Sequence, residues 1–285
     1  MTAKTPRAAS GAKPGQRSSV PAEPEKTVRQ RASANPDPSF STTLARGLAV
    51  LAGFRPGDQA LSNSELSRRT GLSRPTVTRL TYTLVELGFL RRDAAGRYRL
   101  GSRVLGIAYP LLASMRVRQK ARPMMREFAS RAVGTVSLAM PVGTDFVYLE
   151  TVRGSDGVAH MPEVGFSAPM VATAIGRALL SLYTDEEFAA YSEEMQRIHP
   201  DSWPELRPRV LAGIEQCRNR GYTVSLGEWR SEIYGVAAPL YRTEDGECLA
   251  VNCGMPSFRF SKEEVEHQFG PRMAALARSI CKVAV

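Results

Sequence analysis

Only four cysteines and three histidines occur in the 285 residues, and neither type clusters. Cys217, Cys248, Cys253 and Cys281 show no Cys-x-x-Cys spacing, and His160, His199 and His267 stand apart. Neither a structural metal site nor a disulfide framework is expected from such dispersed ligands. The thiols are expected to be buried and reduced. Cys253, in an apolar strand-like run, is the one to watch as a redox or ligand contact. Long apolar runs are missing too: Val236–Leu240 and Ala178–Leu182 fall far short of the ~20 residues of a membrane span. Catalytic templates are also absent, with no glycine-rich phosphate cradle, no Gly-x-Ser-x-Gly and no His-Glu-x-x-His. Catalytic residues, metal ions and cofactors are accordingly not expected.

Large apolar residues are almost missing from residues 1–40, which are rich in Ala, Ser, Pro, Lys and Arg. A segment of that kind buries too little surface to offset the entropy of ordering, so a disordered basic tail is expected there. It carries no apolar core of a secretion signal, which makes the cytoplasm the expected location. Acidic charge is scarce in the same part of the chain. Residues 1–110 hold 18 Lys and Arg against 7 Asp and Glu, whereas residues 111–285 hold 20 against 21. A basic surplus confined to one part of a chain is the electrostatic footprint of a polyanion partner. The neutral remainder must have another task.

What is present begins with three short helical patterns. Thr43–Ala52 has the apolar residues Leu44, Leu48, Val50 and Leu51 and stops at Gly53 and Pro56. Ser62–Thr70 carries Glu65 in its first turn and ends at Gly71. Ser73 then caps a helix to Leu87, with Pro75 in the first turn, where a missing N–H costs nothing. The turn Gly71-Leu72-Ser73 between two helices sharing Leu66, Leu72, Val77, Leu80 and Leu84 as a core is a helix-turn-helix pattern. The opposite face of the last helix shows Arg74, Thr76, Thr78, Arg79, Tyr82 and Thr83, donors and acceptors with few acids. Base edges are read by such groups, and carboxylates are repelled by phosphate. With the capping Ser73, the residues Arg74, Thr76 and Thr78 are candidates for base contact, and Arg79 and Tyr82 for phosphate contact.

Two extended runs, Phe89–Arg92 and Arg97–Leu100, flank the turn Asp93-Ala94-Ala95-Gly96 and place Arg91, Arg92, Arg97 and Arg99 on a hairpin. Directly after a helix-turn-helix, this reads as a wing whose Arg91, Arg97 and Arg99 address the DNA backbone or minor groove. A helix from Arg103 to Met115 leads away from it. Beyond Arg118 helices alternate with strands: Thr135–Met140 and Phe146–Thr151 around a turn at Pro141–Asp145, then a helix over Thr173–Tyr183. Two amphipathic helices, Asp185–Gln196 and Pro204–Arg220, precede the strands Val236–Leu240 and Cys248–Cys253 and a last helix from Ser261 to Val283. This order predicts an α+β chain with an antiparallel sheet.

The stretch Leu44–Gly106 resembles the DNA-binding domain of the IclR family of bacterial regulators. The likeness rests on Arg-Gly-Leu-Ala-Val-Leu (Arg46–Leu51), Ser-Glu-Leu-Ser-Arg-Arg-Thr-Gly-Leu-Ser-Arg-Pro-Thr-Val-Thr-Arg-Leu (Ser64–Leu80), Leu-Gly-Phe-Leu (Leu87–Leu90) and Gly-Arg-Tyr-Arg-Leu-Gly (Gly96–Gly101). Ala-Thr-Ala-Ile-Gly-Arg-Ala-Leu-Leu (Ala172–Leu180), Arg-Gly-Tyr (Arg220–Tyr222) and Gly-Val-Ala-Ala-Pro-Leu (Gly235–Leu240) are similar to the family's effector domain, in its order. The resemblance implies a winged helix-turn-helix at residues 41–101, a linker helix at 102–117 and a GAF-like effector-binding and oligomerisation domain at 118–285. It further implies a homodimer or dimer of dimers, double-stranded operator DNA as partner, and a small-molecule effector bound by Ala174, Ile175, Ser225, Gly235, Asn252 and Gly254.

The chain departs from the family's habit at Val171, where a histidine is common, at Arg177, where lysine is common, and at Ser225, where some members are acidic. A pocket with few formal charges suits an aromatic or weakly charged carboxylate, because an unpaired carboxylate is costly to bury. Arg153, Trp229, Arg230 and Tyr234 are further candidates for anion recognition or stacking. The sequence leaves open an enzyme with an attached DNA-binding domain, and a DNA-binding oligomer that takes no ligand.

Overall fold

A computed structural model describes residues 38–132, 134–154 and 162–284. The tail expected over residues 1–40 lies, as far as residue 37, outside them. Ser41 opens α1 (Thr42–Ala52) by accepting a hydrogen bond from the Leu44 N–H. Only Val50 of this helix is buried; Leu44 and Leu48, grouped with it in the sequence as one apolar face, are 63% and 55% exposed. The correction follows from helical geometry: at about 100° per residue, Val50 and Leu48 point to nearly opposite sides.

The second helix, α2 (Asn63–Thr70), starts with a reciprocal capping box between Ser62 and Glu65. It ends where Gly71 adopts φ 65°, a left-handed conformation that glycine reaches without a Cβ penalty. Ser73 caps α3 (Arg74–Glu86) by accepting from the Thr76 N–H. Val50, Leu66, Val77, Leu90 and Tyr98 close the small core beneath these helices. The strands β1 (Leu90–Arg92) and β2 (Tyr98–Leu100) pair antiparallel with Arg91 opposite Arg99. Leu61 and Tyr98 exchange two backbone hydrogen bonds of 2.8 Å, which adds the loop before α2 to the hairpin as a third edge.

From this unit α4 (Arg103–Ser114) runs on without burying any of its residues. After Met115 the chain enters α5 (Arg116–Ala132), and the Arg118 guanidinium ties the two helices to the sheet. It donates to the Leu112 carbonyl at 2.8 Å and to Glu150 at 3.2 Å.

The larger unit is built on a six-stranded antiparallel sheet of order β5-β4-β3-β8-β7-β6. Its strands are β3 (Thr135–Val142), β4 (Asp145–Arg153), β5 (Ser167–Pro169), β6 (Thr223–Leu226), β7 (Ile233–Arg242) and β8 (Cys248–Pro256). The hairpin between β3 and β4 is tighter than the turn expected over Pro141–Asp145, because Gly143 turns the chain at φ 60°. The strands β5 and β6 escaped the sequence pattern: both are short, and Thr223–Ser225 is buried on both faces, which erases alternation.

One face of the sheet is covered by α5 and by the C-terminal α9 (Gly270–Ala284). The other carries α6 (Ala174–Leu180), α7 (Asp185–Ile198) and α8 (Trp203–Arg220). In β4 the register slips by one residue, pairing Tyr148 with Ala139 and Glu150 with Leu138 and leaving Leu149 as a bulge. Tyr148 therefore belongs to the α6 side, whereas Leu149 and Glu150 turn to the α5 side. Among the described residues no helix is long and apolar enough to cross a membrane.

Candidate functional site: a nucleic-acid face and an aromatic cavity

On the first unit, Arg74, Thr78, Arg79 and Tyr82 of α3 are exposed, Tyr82 by 67%. Ser73 and Thr76 share a hydroxyl–hydroxyl hydrogen bond of 2.8 Å at the helix start. The Thr78 hydroxyl donates to the Arg74 carbonyl at 3.0 Å and accepts from the Asn63 side-chain amide at 2.9 Å. Asn63 is a residue sequence reasoning missed. It sits in the first turn of α2, and its amide locks α2 against the outward face of α3.

Arg91, Arg97 and Arg99 are exposed on the hairpin, as expected. Asp93, read from sequence only as a turn residue, lies 3.1 Å from the Arg97 Nε and 4.0 Å from the Arg99 Nε. Its carboxyl also accepts from the Arg97 backbone N–H at 2.8 Å. That bond first, and the Arg97 side chain after it, holds the Asp93 pKa below its usual value. One ionised acid thus orients two arginines of the wing.

The second unit encloses a cavity of about 350 Å³ between the sheet and the start of α6. All six effector candidates line it: Ala174, Ile175, Ser225, Gly235, Asn252 and Gly254. The sheet register explains the space. Ser225 pairs with Gly235, Gly235 with Gly254, and Gly254 with Thr135, so one row of small residues crosses four strands. Two adjacent glycines leave the middle of that floor without side chains. The walls are aromatic: Phe146 and Tyr148 have ring centroids 5.0 Å apart, Tyr148 stacks on Phe166 at 5.7 Å, and Phe166 meets the edge of Trp229 at 6.1 Å.

Polar groups are few. The Asn252 Nδ2 donates to the Tyr148 hydroxyl at 3.1 Å. Burial pushes the Tyr148 pKa upward, so its phenol keeps its proton at any physiological pH. Asn252 Oδ1 and Thr135 Oγ1 are buried with no hydrogen-bond partner. Arg230 and Glu232 also line the cavity, and the Arg230 guanidinium lies 4.6 Å over the Trp229 ring.

Arg153 and Tyr234, the other recognition candidates, do not line the cavity: Arg153 pairs with Glu163 at 3.5 Å, and Tyr234 packs against the α5-side core. Arg177 is buried behind α6, where it ion-pairs with Glu228 and donates to the Val224 carbonyl at 3.2 Å. Val171 is buried in the short turn before α6 and lies outside the cavity lining. Cys253, watched as a contact, points the other way into the α5-side core. Burial pushes its thiol up to about 12, which leaves almost no reactive thiolate. Among the described residues no group of three or more His, Cys, Asp or Glu is placed to hold a metal.

Sequence reasoning missed Thr135, Phe146, Tyr148 and Phe166, which come from β3, from β4 and from the segment before β5. Only knowledge of which strands are neighbours would have found them.

A family model of the IclR helix-turn-helix domain matches residues 43–94, and a model of the bacterial transcriptional regulator IclR C-terminal region matches residues 110–282. The HTH-type transcriptional regulator KipR of Bacillus subtilis is 29% identical over 228 residues, 79% of this chain and 90% of that protein. The Pca regulon regulatory protein of Pseudomonas putida is 28% identical over 255 residues, 86% of this chain and 84% of that protein. The crystal structure of an IclR family transcriptional regulator from Brucella abortus superposes with a TM-score of 0.81 at 35% identity, covering 90% of this chain and 98% of that one. With both regions matched in order, over a capped DNA-reading helix and an aromatic-walled cavity, the chain belongs to the IclR family of bacterial transcriptional regulators.

Proposed function

We propose that this regulator grips double-stranded operator DNA with the outward face of α3 and the arginines of the wing, and that a small aromatic or weakly charged effector in the cavity modulates the grip. The observation that carries the second half is the cavity itself: a space of about 350 Å³ lined by Phe146, Tyr148, Phe166, Trp229 and Phe258 fits a one- or two-ring metabolite. In this reading Arg74, Thr76 and Thr78 face base edges, Arg79, Tyr82, Arg91, Arg97 and Arg99 face the backbone, and Ser73 caps the helix start. The functional units are residues 41–101, 102–117 and 118–285, and the protein works in the cytoplasm as a regulator without catalytic turnover.

A homodimer, or a pair of dimers, fits both the two-fold character of operators and the surface of the molecule. Leu105, Ile107 and Tyr109 of α4 are 72%, 65% and 71% exposed, and Leu44 and Leu48 of α1 add to the uncovered apolar area. A helix that packs only Leu112 against its own chain's larger core and leaves these residues exposed needs a partner surface.

The DNA assignment is tested by measuring binding of the Arg79→Ala protein to operator and to random duplex across a salt series. Loss of one phosphate contact should weaken both about equally and reduce the log–log salt slope by about 1. An unchanged slope would remove Arg79 from the interface.

A further inference from the structure

Two buried polar atoms that lack hydrogen-bond partners, Asn252 Oδ1 and Thr135 Oγ1, belong to residues lining the cavity, which are 8% and 3% exposed. They come from adjacent strands: Thr135 pairs with Gly254, two residues along β8 from Asn252, so both side chains stand on the same face. The Asn252 amide nitrogen is already committed to the Tyr148 oxygen, which orients the carbonyl oxygen and leaves it as a pure acceptor. Tyr148 accepts that bond and still has its own proton to donate. An unsatisfied buried polar atom is costly, so two such atoms beside a hydroxyl with a proton still to donate, on the lining of an aromatic chamber, call for something that completes them.

Building on the reading of the cavity as an effector site, we infer that its Thr135–Tyr148–Asn252 end recognises an uncharged hydroxyl carried on an aromatic ring, a phenol. A phenolic hydroxyl is both donor and acceptor. Its proton goes to Asn252 Oδ1, and its oxygen accepts from Thr135 or from Tyr148. A carboxylate offers only acceptors and would face the Asn252 carbonyl oxygen lone pair to lone pair. A methyl ether brings an oxygen but no proton for that acceptor. The ring behind the hydroxyl lies among Phe146, Phe166 and Trp229. The subsite therefore discriminates by hydrogen-bond chemistry at one atom, while the rest of the chamber selects for flat apolar shape.

The test is calorimetric titration of the full-length protein with three matched probes: 4-ethylphenol, 4-ethyltoluene, which keeps its size, and 4-ethylanisole, which keeps its oxygen. The phenol is expected to bind about tenfold or more tightly than either control. Thr135→Val replaces a hydroxyl by a methyl of the same size. It should reduce the preference for the phenol several-fold yet raise the melting temperature of the unliganded protein, since it removes an unpaired buried group. A merely structural role for Thr135 would lower it. Gly235→Phe, whose added ring has room to enter the chamber because a Cβ there meets its nearest neighbour, Ala174, at 3.6 Å, should abolish binding of all three probes. Equal affinities for the three probes, or binding of none, overturn the phenol subsite. Undiminished binding to the Gly235→Phe protein would instead place the ligands elsewhere and overturn the effector cavity itself.

Discussion

At the scale of single residues, the larger unit buries charge where it is tied down, Glu150 to Arg118 and Arg177 to Glu228. Asp145 is the exception with a measurable signature. It begins β4 next to the cavity wall, and burial raises its pKa from 3.8 to about 6. A carboxyl whose folded pKa is raised favours its protonated form, so its contribution is fully present below the unfolded pKa and is lost as pH rises through about 6. Asp145→Asn, neutral throughout, should be more stable than the parent at pH 8 by on the order of 2 kcal/mol and nearly equal to it at pH 4. Thermal melts at the two pH values decide this; a constant difference would mean that the carboxyl is not desolvated. Asn63 makes a second case. Its amide is bound to Thr78, so Asn63→Ala should loosen α2 from α3 and weaken operator binding without touching DNA itself. Anisotropy titrations against duplex would show weaker binding with an unchanged salt slope.

Elements meet at closer range than side chains normally allow at several glycines, and one of them sets the start of α6. A Cβ on Gly176 would lie 2.1 Å from the Met170 carbonyl oxygen, so α6 can sit on the turn before it only with glycine there. Gly176→Ala should cost about 3 kcal/mol or more, above the usual overpacking penalty, because backbone and not a flexible side chain is in the way. Chemical denaturation would show it, and a loss below about 1 kcal/mol would mean that the helix simply shifts. The start of α6 was legible in the sequence because Thr173, Gly176 and the apolar run after them form one local motif. So were Ser225, Gly235, Asn252 and Gly254, which sit on or beside similar short motifs. The aromatic walls were not, since Tyr148 meets Asn252 across 104 residues of chain and no local period encodes the order β4-β3-β8. The exposure of Leu44 and Leu48 was misread for a related reason: an apolar stripe shows that a helix needs a partner, not that the partner is in the same chain.

For the molecule as a whole, the proposed homodimer is tested at α4, whose Leu105, Ile107 and Tyr109 are exposed. Leu105→Glu should leave each folded unit intact and shift the protein toward monomer in sedimentation, with a steep loss of affinity for a two-half-site operator and little loss for a half site. Retention of the parent's mass would exclude α4 from the interface. The bulge at Leu149 has its own consequence for the whole. In an unbroken strand Phe146, Tyr148 and Glu150 would share one direction, and a carboxylate would stand inside the aromatic chamber. The extra residue inverts the parity of β4 partway along its length. One stretch of chain thereby presents a phenol to the chamber and, two positions later, an anion to Arg118, which also holds the Leu112 carbonyl of α4. Deleting Leu149 would take out the bulge and leave Tyr148 opposite Ala139 and Glu150 opposite Leu138, so the two side chains would keep their opposite faces; a strand that kept Leu149 but lost the bulge would carry the carboxylate into the chamber.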